Sequence, residues 1–369
     1  MSDAPFTSSV LRLDSALPTK ELTKIRDNFS AAVFDRTHLW LGGDEGTSID
    51  RFTRGDDDAF GGQTRFDLAS VLQLPGGGEE IDIEGMDVNG GYLWLIGSHS
   101  LKRKKVESDK PAAENIKRLA AVSADGNRFT LARVPIDSNG TPVKKDGNST
   151  AARLQGNAQG NLLTDALLKD QHIGRFVQRA LPDGTMEGIP SKDNGLDVEG
   201  LAVSGNRVFL GLRGPVLRGW AVVIELQVAD STGGLTLGPL GSSGAALRRH
   251  FLQLDGLGVR DLVIHGDDLL VLAGPTMDLD GPVFIYRWSG ALKQSGDSLT
   301  FRRDLTRLVS VPFGVGTDHA EALTLMPGDE LLGLVCYDSP DQKRIHGTNG
   351  SELTVDVFRL GDQIRVRSF

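Results

Sequence analysis

Cysteine is all but absent from this chain: Cys336 is the only one, so no disulfide can form within it. Set in an apolar run, its thiol is expected to be buried and inert rather than nucleophilic. Positive charge is also in deficit. With 40 Lys and Arg against 49 Asp and Glu, the formal net charge is −9, which argues against nucleic acid and against an anionic membrane surface as partners. No apolar run approaches the roughly 18 residues of a membrane span. The start, Met1-Ser2-Asp3-Ala4-Pro5, has neither the basic end nor the apolar stretch of a signal peptide. We therefore expect a cytoplasmic protein, and a monomer. Familiar catalytic signatures are missing too. No Gly-Lys-Ser/Thr follows Gly241-Ser242-Ser243-Gly244, and there is no Gly-x-Ser-x-Gly, Cys-x-x-Cys or His-Glu-x-x-His.

What the chain does have is a recurrence. Asp82-Ile83-Glu84-Gly85-Met86-Asp87-Val88 returns as Asp197-Val198-Glu199-Gly200-Leu201-Ala202-Val203. Looser copies stand at Val259-Arg260-Asp261-Leu262-Val263-Ile264 and His319-Ala320-Glu321-Ala322-Leu323, and one without an acid at Asn28-Phe29-Ser30-Ala31-Ala32. Each leads through a polar or glycine turn into a second apolar segment, as in Leu39-Trp40-Leu41 and Leu93-Trp94-Leu95. A spacing of about 50–60 residues, doubled once, marks a repeat architecture.

Short apolar runs broken by turn residues favour strands. Five four-stranded units are expected: 30–34, 38–41, 47–52 and 66–73; 83–88, 92–96, 117–123 and 128–134; 198–203, 207–212, 220–228 and 249–254; 259–264, 269–273, 283–288 and 306–311; 320–325, 331–336, 353–360 and 363–367. That pattern predicts an all-β fold, a single-domain five-bladed β-propeller. An unclosed ring would expose strand edges, so the spare strand at 8–13 is expected to dock on the last unit. Residues 135–194 interrupt the repeat and read as an inserted loop with one amphipathic helix over 161–179. Counted as a unit of their own, they would make six blades.

Placed on innermost strands at one height, Ser30, Glu84, Glu199, Asp261 and Glu321 would converge on the channel mouth. Clustered carboxylates stay ionised only beside a cation, and hard oxygen donors suit calcium. The bland alternative is that acids at strand starts accept backbone hydrogen bonds and staple the ring, with Asp82 and Asp197 as candidates. Long loops gather on the face where the inner strands begin, and such loops usually carry binding. They supply His99, Arg103, Arg213, Arg218, Arg344 and His346, a basic rim suited to an anionic substrate. Within this reading His319 is the histidine nearest the floor. Trp40 and Trp94, at matching mid-strand positions, are expected to be core.

Through its Glu-Gly-Met/Leu inner strands and Leu-Trp-Leu second strands, nearly the whole chain resembles an uncharacterised bacterial propeller family, a domain of unknown function. The inner strands are also similar to those of the calcium-activated nucleotidases (apyrases), which implies a central calcium held by Ser30, Glu84, Glu199 and Glu321; Asp261 departs from that pattern. Similar Asp-x-Glu-Gly strands occur in esterase-like phytase propellers. The expectation is a metal-dependent hydrolase of a phosphate or other anionic ester. The alternative is a non-catalytic module whose face binds a small anionic ligand or a protein.

Overall fold

The computed structural model describes residues 2–77, 80–183, 185–241 and 244–361. Alternating apolar residues build antiparallel strands that pair in chain order. The first sheet comprises Phe29–Phe34, His38–Gly43, Ser48–Arg54 and Phe60–Asp67. The second is Ile83–Asn89, Tyr92–Gly97, Leu131–Pro135 and Ala152–Arg153. The third runs Asp197–Ser204, Arg207–Leu217, Trp220–Ser231 and Leu247–Gln253, and the fourth Gly258–His265, Asp268–Gly274, Val283–Trp288 and Thr306–Val311. In the fifth, His319–Leu325, Leu332–Asp338 and Glu352–Arg359 are completed by Thr7–Arg12 from the other end of the chain.

The innermost strands touch in cyclic order, first to second through to fifth and back to first. Between consecutive sheets lies an apolar cluster: Ile83 and Trp40 between first and second, Trp94 and Leu201 between second and third, Phe209 and Val271 between third and fourth. Leu272 and Val335 pack between fourth and fifth, and Leu41 and Val355 between fifth and first. The fold is all-β and propeller-like, and Trp40, Trp94 and Cys336 are core. Burial pushes the Cys336 thiol up to about 12, so it stays a thiol at neutral pH.

The terminal strand pairs antiparallel with Glu352–Arg359, from Thr7 opposite Val357 to Arg12 opposite Glu352. A single parallel bridge from Leu11 to Phe60 then joins it to the first sheet. The strand expected at 363–367 lies outside the described residues.

Three expectations need correction. The first sheet's outer strand is Phe60–Asp67 rather than 66–73, because the Asp67 carboxylate accepts from Ala69 N and turns the chain into a short 3-10 helix. Residues 117–123 are not the third strand of the second sheet: Ala112–Ala120 is a helix, entered through Pro111 and built from good helix formers, and Val122–Ser123 pairs only with Lys102–Arg103. Leu131–Pro135 takes the third-strand place beside Tyr92–Gly97. Finally, 135–194 is not wholly inserted, since Ala152–Arg153 supplies the second sheet's outer strand. Its helix is shorter than expected, Leu162–Leu168, capped by Asn161 and Thr164 in a reciprocal box.

Candidate functional site

Each inner strand carries a bulge at the same place. Pairing between first and second strands skips one residue: Ser30, Glu84, Glu199, Arg260 and Glu321 in the five sheets. A bulge leaves the extra residue unpaired and re-aims its side chain. Glycine directly after the bulge lets neighbouring strands approach, as a Cβ on Gly85 would stand 2.9 Å from Glu199 O and one on Gly200 2.9 Å from Leu262 Cγ.

The fourth place therefore belongs to Arg260 and not to Asp261, one residue out of register. The Asp261 carboxylate is buried and accepts from Leu262 N at 2.8 Å and, across to the next sheet, from Leu323 N at 2.7 Å. Asp87 does the same with Val88 N and Val203 N, at 2.7 and 2.6 Å. These two staple the ring. Asp82 and Asp197, expected to do so, face arginines instead. Ser30 donates its hydroxyl to Ile83 O at 2.5 Å, also a contact between inner strands.

Arginine dominates the floor. Arg213 lies between Asp197, which it contacts closely, and Glu199 at 2.8 Å. Arg260 reaches Glu199 at 3.1 Å and contacts Glu321. Arg128 takes Asp82 with both terminal nitrogens, at 2.6 and 3.0 Å, and is braced by Ser100. Of the acids at the bulge positions, Glu84 alone has neither an ion pair nor a hydrogen bond within the described residues. Burial, then the fields of Asp82, Glu199 and Glu321, hold its carboxyl well above the usual Glu range. Burial pushes Glu199 up to about 8 against the pull of both guanidiniums. Asp44, at the end of the first sheet's second strand, is pushed up to about 8 by burial and by Asp82, Asp338 and Glu321, and its Oδ1 is buried without a partner.

Glu84 and Asp44 face a cavity of about 430 Å³ whose wall includes Asp82, Arg128, Asp197, Arg213, Glu321 and Asp338 and whose rim carries Lys102, Arg103, Lys104, Lys105 and Lys192. A second cavity of about 320 Å³ adjoins it, sharing Lys105, Lys192, Arg213, Glu321 and Asp338 and adding Arg260 and His319. His319 contacts Asp280 at 3.1 Å and Asp338 at 3.7 Å, carboxylates that hold its pKa above the ordinary value against burial.

Of the six expected substrate-binding residues, Arg103 and Arg213 line the main cavity. Arg103 is held by Asp193 at 2.7 and 2.9 Å. His99 is not on the rim: it is fully buried between Gly97 O and Asn161, and burial lowers its pKa to about 4. Arg344 is tied to Asp318 and Asp356 over the Tyr337 ring. Arg218, in a tight turn, and His346, on a short outer strand, line neither cavity. Sequence reasoning missed Arg128, Arg260 and Asp44. For Arg260 the signal was there, since it follows Val259 as Glu84 follows Ile83. Among the described residues, no three His, Cys, Asp or Glu side chains form a metal-holding group.

Residues 28–356 match the family model described as "Protein of unknown function (DUF3616)". The chain belongs to this family. Among curated proteins no relative matches it. Solved structures resemble it weakly. Myxococcus xanthus glutaminyl cyclase is 8% identical over 96% of both chains, with a TM-score of 0.40. A GH43 β-1,3-galactosidase is 8% identical over 90% of both, at 0.41. A putative 6-phosphogluconolactonase from Bacteroides uniformis is 13% identical over 90% of this chain and 86% of its own, at 0.34. No helix of the described residues is long and apolar enough to cross a membrane.

Proposed function

We propose that this family member is a five-bladed propeller hydrolase acting on a small anionic ester, with Glu84 as its proton donor. Glu84 carries the reading: a carboxyl that burial and like charges hold well above the usual Glu range, unpartnered, facing a cavity large enough for a small molecule. A proton-bearing carboxyl at neutral pH is what general acid catalysis on a leaving oxygen needs. Glu321, paired with Arg260 and lining the same wall, would take the proton of the attacking water. As the ester bond breaks, Glu84 gives its proton to the departing oxygen and the hydroxyl of water joins the acyl or phosphoryl centre.

The charge of the wall suits an anion. Seven Lys and Arg face eight Asp and Glu around the main cavity; two of the eight, Asp44 and Glu84, are held above the ordinary carboxylate range, which reduces the negative charge set against the cations. The donor set expected for calcium does not fit. Asp261 is turned to backbone, Ser30 is engaged with Ile83, and Glu199 and Glu321 already face guanidinium groups. We read the floor as neutralised by arginines and retained protons in place of a dication.

The test is a panel of chromogenic phosphate and carboxylate esters, assayed with chelator and, in parallel, with added calcium. Turnover by the native protein and a loss of about 100-fold or more in Glu84→Gln are expected, with the melting temperature of the variant not lowered. Undiminished turnover in Glu84→Gln, or activity that appears only on adding calcium, would contradict the proposal.

A further inference from the structure

Exposed large apolar side chains are not scattered over this molecule. Eight of the twelve among the described residues come from two places, residues 98–123 and the paired loops 275–282 and 312–318. From the first, Val106 (45% exposed) and Leu119 (49%) line the main cavity, and Ile116 and Val122 of the same segment are exposed as well. From the second, Met277, Leu279 (60%) and Phe313 (45%) line the adjoining cavity, with Val315 beside Phe313. The two cavities share Asp278 as well as Lys105, Lys192, Arg213, Glu321 and Asp338. The apolar residues thus stand on opposite sides of one charged opening.

Both sides are built. Helix Ala112–Ala120 buries none of its residues, yet it is tied down where Arg103 donates to Leu119 O and Arg118 donates to Lys105 O. On the other side, Asp280 accepts from Gly316 N at 2.9 Å and contacts His319 at 3.1 Å, which fastens the two loops carrying Leu279 and Phe313 together. Holding apolar side chains in water at fixed positions costs free energy unless something covers them.

We infer that the ligand of this site is an amphiphile: an anionic head that enters the charged cavity and an apolar arm that lies across the lip formed by Leu279 and Phe313. The inference rests on the proposed anionic-ester site but concerns binding rather than turnover. A small amphiphile fits better than a protein partner because the apolar residues rim a charged opening continuous with them, so one ligand must satisfy both surfaces. Lys104 and Lys105, exposed at the rim with no ion pair in the described residues, are free to meet the head.

The probes are methyl, butyl and octyl phosphate, each titrated calorimetrically against the full chain below its micelle concentration. Octyl phosphate is expected to bind at least tenfold more tightly than butyl phosphate, as burial of even part of four methylenes requires. In the double variant Leu279→Asn with Phe313→Asn, which removes apolar surface without adding charge, the ratio should fall below about threefold while butyl affinity is kept; both positions are exposed, and a melt checks the fold. Glu84→Gln should leave the chain-length preference intact, so failure of the hydrolase reading and failure of this one are separable. A ratio near one in the native chain overturns the inference. So does a preference that survives the double variant, or self-association that the double variant abolishes without any chain-length effect; the last would make the lip a contact between copies.

Discussion

Asp261 and Arg260 are neighbours in sequence with opposite duties, because one step along a strand moves a side chain to the other face. Asp261 accepts two backbone N–H groups, one from the adjoining inner strand. Replacing it with alanine leaves both donors buried and unpaired, and a destabilisation of about 2–4 kcal/mol is expected from urea unfolding; a change under 1 kcal/mol would mean the staple carries no weight. Residue type alone could not separate these duties in the sequence. Counting acids aligned Asp261 with Glu84, whereas counting from the preceding apolar residue, Val259 against Ile83, aligns Arg260. The fate of His99 was less legible still. Its burial depends on Asn161, 62 residues away in sequence, and nothing local announces that contact.

At the scale of elements, five inner strands with one bulge apiece present Ser30, Glu84, Glu199, Arg260 and Glu321 towards one another. The inner and second strands were readable because they are buried on both faces and keep their apolar runs. Outer strands were read for the third and fourth sheets, at Leu247–Gln253 and Thr306–Val311, but missed in the first two, since an edge pairs on one side and its pattern is weak; hence the error over 117–123, where helix formers override the repeat. Closure by residues 8–13 was readable from the need to cover an edge. Arg260 is the tie between third, fourth and fifth inner strands. Arg260→Met is expected to cost about 3–5 kcal/mol at pH 8, since it strands Glu321 as a buried charge and takes away one of the two guanidiniums facing Glu199. The loss should be smaller at pH 5, where both can take up a proton; an equal loss at the two pH values would contradict the role given to the pair.

For the molecule as a whole, proton linkage follows from these acids. Asp44 and Glu199 are pushed up to about 8 and Asp87 to about 7, chiefly by burial. Each therefore holds a proton in the folded chain that the unfolded chain releases near pH 4. Their contribution to stability is complete below that range and is lost as pH rises through 7 to 8. His99, lowered to about 4 by burial, works in the opposite sense between pH 4 and 6.5, so the clean window lies above 6.5. There His319, raised by its two aspartates, acts with the carboxyls. A melting temperature that falls by roughly 3–6 °C from pH 6.5 to 8.5 is expected; a flat or rising profile would contradict the linkage. The most direct measurement is a carboxyl-resolved NMR titration of Glu84 in the full chain, with and without calcium. A midpoint well above the ordinary glutamate range, unmoved by calcium, is the expected result; an ordinary midpoint, or one that calcium lowers sharply, would contradict the retained proton on which the proposed chemistry stands.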